Sequence, residues 1–144
     1  MRKVIISGIA LSLITINCKK ETGNSGVIKQ ENTEVSVIKN NGVVDSTTSS
    51  ETYTKDANGE VQEHTYRYVA EDGSSAHVKF TNSTKDGNYI SITSNKKTIK
   101  VKQKEAWAKG AIYEENGVIV KSEGDKITIE QENNIIELKK ARGQ

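Results

Sequence analysis

The feature that most constrains this chain is an alternation of apolar and polar residues, with the period of a β-strand, from residue 50 onward. The runs are Thr65–Val69, Ala76–Phe80, Tyr89–Thr93, Thr98–Lys102, Val118–Lys121, Lys126–Glu130 and Asn134–Leu138. Val, Ile, Thr and Tyr dominate them, and no window of about a dozen residues keeps a helical stripe. The pattern predicts an all-β domain.

Turn signals separate these runs. Asn58-Gly59, Asp72-Gly73, Asp86-Gly87 and Asn116-Gly117 are dipeptides that readily take the positive φ values of hairpin turns. Connections this short make successive strands antiparallel neighbours. About eight strands with a thin apolar face bury that face best by closing on themselves, which also removes exposed edges. We therefore expect a small antiparallel barrel with meander connections, and an open sandwich is the alternative.

Composition limits both the core and the partners. Apolar residues make up 33% and charged residues 28%, so the core must be modest. Lys and Arg total 21 against 19 Asp and Glu, and two of the basic residues stand at positions 2 and 3. The remaining chain is nearly neutral, and nothing in it predicts a nucleic-acid partner, which would need a clustered basic surface.

The N-terminus has the pattern of a secretion signal. Met1-Arg2-Lys3 is positively charged, Val4–Ile16 is mostly apolar but short for a membrane span, and Cys18 follows. The segment resembles a bacterial lipobox, although Asn17 replaces the usual small residue. We expect residues 1–17 to be a signal peptide and Cys18 to be diacylated, which anchors the chain to a membrane. An ordinary signal peptide followed by a chance cysteine is the alternative.

Residues 18–49 are expected to be the lipidated Cys18 and a flexible tether, because residues 19–33 are too polar to bury a core. Residues 34–49 are either linker or a loosely attached strand. The barrel is assigned to residues 50–144. Lys19-Lys20-Glu21 is similar to the surface-export signals of some Bacteroidetes lipoproteins, so the outer-membrane anchor faces either the cell surface or the periplasm.

Catalytic patterns are weak. His64 and His77 lie within alternating strands, without His, Cys or Asp neighbours at ligand spacing. The chain has neither a Gly-x-Ser-x-Gly elbow nor a glycine loop for phosphate. We expect no enzymatic activity, no metal and no cofactor. Trp107 is the only tryptophan, and it belongs either to the core or to a binding loop over residues 107–113.

Three segments resemble the membrane-bound inhibitors of c-type lysozyme, which are bacterial lipoproteins. Tyr66–Gly73 and Val78–Phe80 resemble the first marker of that family, Tyr-x-Cys-x-x-Gly followed by Val-x-Phe. Ala108–Tyr113 resembles its Ala-Ser-Gly-Ala-x-Tyr loop, and Lys121–Ile129 keeps the Gly-Asp of its third marker. The family disulfide has no counterpart, because Cys18 is the only cysteine.

The resemblance implies an eight-stranded barrel that inserts a loop into the active-site cleft of a c-type lysozyme. In the family, a loop Ser and a downstream Lys bond to the catalytic carboxylates, and Lys109 and Glu123 stand at those two positions. An ammonium suits two carboxylates, whereas Glu123 would be repelled by them. A non-inhibitory module that binds another protein or a cell-wall ligand is therefore the alternative. The expected contact residues are Trp107, Lys109, Gly110, Ala111, Tyr113 and Glu123.

Overall fold

The computed structural model describes residues 26–40 and 43–141, and the side chains of residues 26–35 and 49–141. These residues form ten β-strands and no helix. The strands are β1 (Ile28–Asn40), β2 (Val43–Asp56), β3 (Gly59–Ala70), β4 (Ser75–Ser83), β5 (Tyr89–Ser94), β6 (Lys97–Trp107), β7 (Gly110–Glu115), β8 (Val118–Glu123), β9 (Lys126–Gln131) and β10 (Asn134–Lys140). The predicted signal peptide and Cys18 lie outside the described residues.

Strands β3 to β10 follow one another around a closed sheet, each antiparallel to its neighbours in sequence. β3 and β10 complete the closure, with Tyr68–Ala70 opposite Leu138–Lys140. The Ala141 amide also donates to the Arg67 carbonyl at 2.9 Å. The result is an eight-stranded antiparallel barrel with two additional strands. The predicted meander barrel is confirmed, and the sheet is not an open sandwich.

The alternation sends every second residue of these strands into the barrel. The buried apolar set is Tyr68, Ala76, Val78, Ile90, Ile92, Val101, Ala111, Tyr113, Val120, Ile127, Ile129 and Leu138. Eight strands enclose an interior about wide enough for side chains to occupy. Each large member contributes about 1.5–3 kcal/mol by leaving water, so this small set accounts for most of the apolar stabilisation.

β1 and β2 form a hairpin that extends the sheet beyond the barrel. Ser50–Asp56 of β2 pairs with Gly59–Thr65 of β3, and within the described residues β1 pairs with β2 alone. The sequence predicts a tether over residues 18–49, with a loosely attached strand as the alternative for residues 34–49. In the structure, residues 28–40 and 43–49 lie in strands, and the predicted barrel start at residue 50 falls within β2. A polar segment can pair here because the edge of β3 offers amide and carbonyl groups that need partners but no apolar burial.

The turns agree only partly with the dipeptides that predict them. Asn116 and Gly117 both have positive φ, at 51° and 76°, as a type I′ turn requires. Asn95 and Lys96 do the same at 49° and 63°, although no glycine marks that turn. Gly59 instead begins β3 at a φ of 140°, so the preceding turn is one residue earlier than expected.

A β-bulge in β6 determines which way Trp107 faces. Residues up to Lys102 pair with β5, and residues from Gln103 pair with β7, with a register shift between Gln103 and Glu105. The extra residue reverses which side chains face outward. Trp107 consequently lies outside the barrel, opposite Gly110.

Candidate functional site

Two hairpin tips lie side by side at one end of the barrel. Ala108 and Lys109 connect β6 to β7, and Gly124 and Asp125 connect β8 to β9. Gly110 pairs with Glu123, and the Gly124 amide donates to the Lys109 carbonyl at 3.2 Å. The barrel thus brings Lys109, in the first turn, and Glu123, at the end of β8, close to each other. These are the two positions that the family resemblance singles out.

Gly110 is required here by close packing. A Cβ at this position would lie 2.2 Å from the Ser122 carbonyl oxygen and 2.9 Å from Cζ2 of Trp107. Gly110 does not have a positive φ, so its role is not to allow a left-handed backbone. The missing side chain lets the Trp107 indole lie against the backbone while 43% of that residue stays exposed. One face of the Trp107 ring is therefore held against Gly110, and the other face is exposed to solvent.

The predicted loop over residues 107–113 is not a loop. β6 ends at Trp107 and β7 begins at Gly110, so the connection is a turn of two residues. Ala111 and Tyr113 are only 8% and 6% exposed and belong to the barrel core. Both were expected to contact a partner, and their burial corrects that expectation. Ala111 and Tyr113 alternate with Ile112 in the way that strand residues do. The segment was nevertheless predicted as a loop, because it resembles the family loop.

Charge at the tips is solvent-facing. Lys109, Glu123 and Asp125 are all exposed. Among the described residues, no carboxylate oxygen lies within 4.0 Å of the Lys109 Nζ, so Lys109 and Glu123 do not form an ion pair with each other. An ammonium without an internal partner remains available to an external carboxylate.

The core beneath this end contains two phenols. Burial raises the pKa of Tyr68 to about 12, and the negative charge of Asp125 adds to the effect. Burial likewise raises the pKa of Tyr113. Both phenols therefore stay neutral at ordinary pH and are structural. The Lys140 amide donates to the Asp125 carbonyl at 2.7 Å, which ties the last strand to the second tip.

The histidines lie elsewhere. His64 on β3 has its Nδ1 3.7 Å from a carboxylate oxygen of Glu51, and His77 is exposed on β4. In the part of the chain that the structure describes, no three His, Cys, Asp or Glu side chains come together as a metal site would require. Residues 26–40 and 43–141 also contain no helix with the length and apolar character needed to cross a membrane.

A cleft lies between the β2–β3 turn and the β4–β5 loop. Its volume is about 210 Å³, and Thr54, Asp56, Glu60, Ser83 and Lys85 are among its lining residues. Pockets that hold drug-sized ligands usually measure roughly 300–1,000 Å³ and are mostly apolar. The cleft is smaller and more polar than these, so the hairpin tips remain the stronger candidate site.

Sequence reasoning did not single out Ser122, and it noted Gly124-Asp125 as part of the third family marker. The strand register is what places Gly124 and Asp125 beside Lys109. Comparison with known proteins adds no relative: no family model, no curated protein and no solved structure matches the chain.

Proposed function

We propose that this chain is a lipid-anchored inhibitor of c-type lysozyme, which acts without catalysis by inserting the β6–β7 turn into the enzyme's active-site cleft. The observation that supports this most directly is the position of Lys109. It lies at the tip of a two-residue turn, exposed, and no described carboxylate is within 4.0 Å of its Nζ.

The chemistry of the target complements that tip. Glycoside hydrolases of this kind use a pair of carboxylic groups flanking the bond that they cleave. An ammonium placed between them forms charge-assisted hydrogen bonds, each worth about 1.5–3 kcal/mol. The hydrogen bond from Gly124 to the Lys109 carbonyl fixes the turn before binding, so less conformational entropy is lost in the complex.

Trp107 supplies the apolar part of the proposed contact. Its exposed face lies beside Lys109 at the same tip. Tryptophan is among the residues most often found at energetic centres of interfaces. We therefore limit the proposed contact set to Trp107, Lys109, Gly110 and Glu123.

Glu123 favours a second function. It lies on the strand next to Gly110, with its side chain exposed, where it would face the catalytic carboxylates of a lysozyme. A like charge in that place opposes binding. The alternative is a non-inhibitory module, anchored in the same way, whose mixed-charge tips bind another protein or a cell-wall ligand.

The two functions are separated by an activity titration. Purified protein is added to a c-type lysozyme, and hydrolysis of cell walls is followed together with direct binding. Inhibition with one barrel per enzyme supports the first function. Absence of both inhibition and binding overturns it, and binding without inhibition favours the second.

A further inference from the structure

The outward face of β3, β4, β5 and β6, here called the basic face, concentrates positive charge. Because Val78, Ile90 and Val101 point into the barrel, the residues between them point out. The outward positions of these four strands include Lys79, Lys100 and Lys102, together with His77 and with Arg67, which already has an interaction within the chain. Glu63 is the one carboxylate at those positions.

On the opposite wall, formed by β7 to β10 and the bulged end of β6, several lysines are paired with glutamates. Its lysines 104, 121 and 126 each form an ion pair, with Glu114, Glu130 and Glu137 respectively. On the basic face, Lys79 pairs with Glu63 at 3.4 Å, while Lys100 and Lys102 have no described carboxylate within 4.0 Å. The basic face therefore carries lysine charge, at Lys100 and Lys102, that no described carboxylate offsets by direct contact.

The basic face also contains a tyrosine, Tyr89, whose side chain has an apolar ring and a polar hydroxyl. The Lys100 Nζ lies 3.7 Å from the centroid of Tyr89, and Lys102 pairs with Tyr89 across the strands. Hydroxyl side chains occupy the positions between the cations, among them Thr65, Ser91 and Thr98. Cations, hydroxyls and an interfacial tyrosine together suit a phosphate-bearing surface at the boundary of water and lipid.

We propose that the basic face docks onto an anionic lipid bilayer and holds the barrel side-on against the membrane. Charge complementarity identifies this partner, since lipid phosphates attract surface cations. Neighbouring strands lie about 4.8 Å apart, so Lys79, Lys100 and Lys102, on β4 and β6, project from one side of the barrel and can reach a lipid surface together. A DNA groove instead admits a helix or a two-stranded ribbon.

The attraction is weak for one face alone, at about 1 kcal/mol for each cation near the surface. It adds to a covalent lipid, since stable membrane attachment generally takes two signals. The strength of docking in the cell thus depends on the proposed anchor at Cys18. The basic face itself is independent of that anchor and can be tested without it.

The test uses the processed chain from residue 18 with Cys18→Ser, so that no lipid is attached. Cosedimentation is measured with phosphatidylcholine vesicles, with and without phosphatidylglycerol. We expect binding only to the anionic vesicles, and weaker binding at high salt. Lys100→Gln with Lys102→Gln should reduce the affinity roughly 25-fold, or about 5-fold for each cation removed.

Lys121→Gln with Lys126→Gln is the matched control, because it changes the net charge equally on the opposite wall. It should leave vesicle binding within about 2-fold of the parent, and both double variants should keep the parent's melting temperature and lysozyme titration. Equal losses in the two double variants would show that net charge alone matters and would overturn the proposal. Equal binding to neutral vesicles, or tighter binding to short duplex DNA, would overturn it as well.

Discussion

The Trp107 indole lies against Gly110, where a Cβ would come within 2.9 Å of the ring carbon Cζ2. The same Cβ would lie 2.2 Å from the Ser122 carbonyl oxygen, which is backbone and cannot rotate away. Gly110→Ala should therefore lower the free energy of unfolding by about 1–3 kcal/mol, the usual cost of overpacking. Denaturant melts measure this, and Gly26→Ala is the control because a Cβ there would meet nothing within 4 Å. Equal stability of the two variants would contradict the close approach.

Lys109 and Glu123 should have opposite effects on lysozyme binding. Lys109→Ala removes a charge-assisted hydrogen bond and should weaken binding about 10- to 100-fold. Glu123→Lys should strengthen binding, because a cation replaces a carboxylate that would face carboxylates. Dissociation constants for these variants decide the question, with Lys121→Ala as the control at an exposed, ion-paired lysine. If Lys109→Ala binds as tightly as the parent, the turn is not the contact.

The seam between β3 and β10 should govern stability. Leu138 is 4% exposed at the seam, whereas Ile135 on the same strand is 67% exposed. Leu138→Ala should cost about 2–5 kcal/mol and lower the melting temperature by roughly 10 °C or more. Ile135→Ala should change stability by less than about 0.5 kcal/mol. Comparable losses at both positions would show that closure contributes little.

Tyr68 should make the barrel less stable at high pH. Its pKa is about 12 in the folded protein against 10.0 for the free side chain. The unfolded chain therefore loses this proton first, and stability is full below pH 10 and falls as pH rises from 10 through 12. The loss reaches roughly 2–3 kcal/mol. Urea melts across this range should show a shallower decline in Tyr68→Phe, and identical slopes would contradict the buried phenol.

The predicted anchor is tested at Cys18. Cys18→Ser should abolish metabolic labelling with a fatty-acid probe, because the thiol is the proposed acceptor. Asn17→Gly is the control, since it brings the segment closer to the usual lipobox and should keep the label. A Cys18→Ser chain that remains labelled would disprove the assignment.

The barrel was predictable because alternation and turn spacing are local signals. The strand β7 was not, because Ala108-Lys109 lacks the glycine or asparagine that marks a turn. Ala111 and Tyr113 were consequently expected in a binding loop, although they are core residues. For residues 34–49 the sequence left linker and a loosely attached strand open, because many of them are polar and only the edge of β3 gives β2 a place to pair.

The adjacency of functional side chains depends on register, which short sequence patterns do not specify. Lys109 and Glu123 are 14 positions apart in the sequence. They lie at the same end of the barrel because Gly110, next to Lys109, pairs with Glu123. The basic face is assembled from four strands in the same way. Lys79 and Lys100 belong to one row only because both align with Ser91. Lys100 and Lys102 belong to a lysine-rich run over residues 96–104, but only the strand register places them beside Lys79.

The seam also sets an order in which the molecule can be built. Each hairpin of the meander joins residues that are close in sequence, but Ala70 and Leu138 are 68 positions apart and pair last along the chain. A chain that emerges from a ribosome or a translocation pore with its N-terminus first can form its early hairpins during transit. It cannot close until β10 is released. Until then, the Tyr68–Ala70 part of β3 and the edge of the newest strand stay open to other chains, so chaperone protection would matter most in that interval.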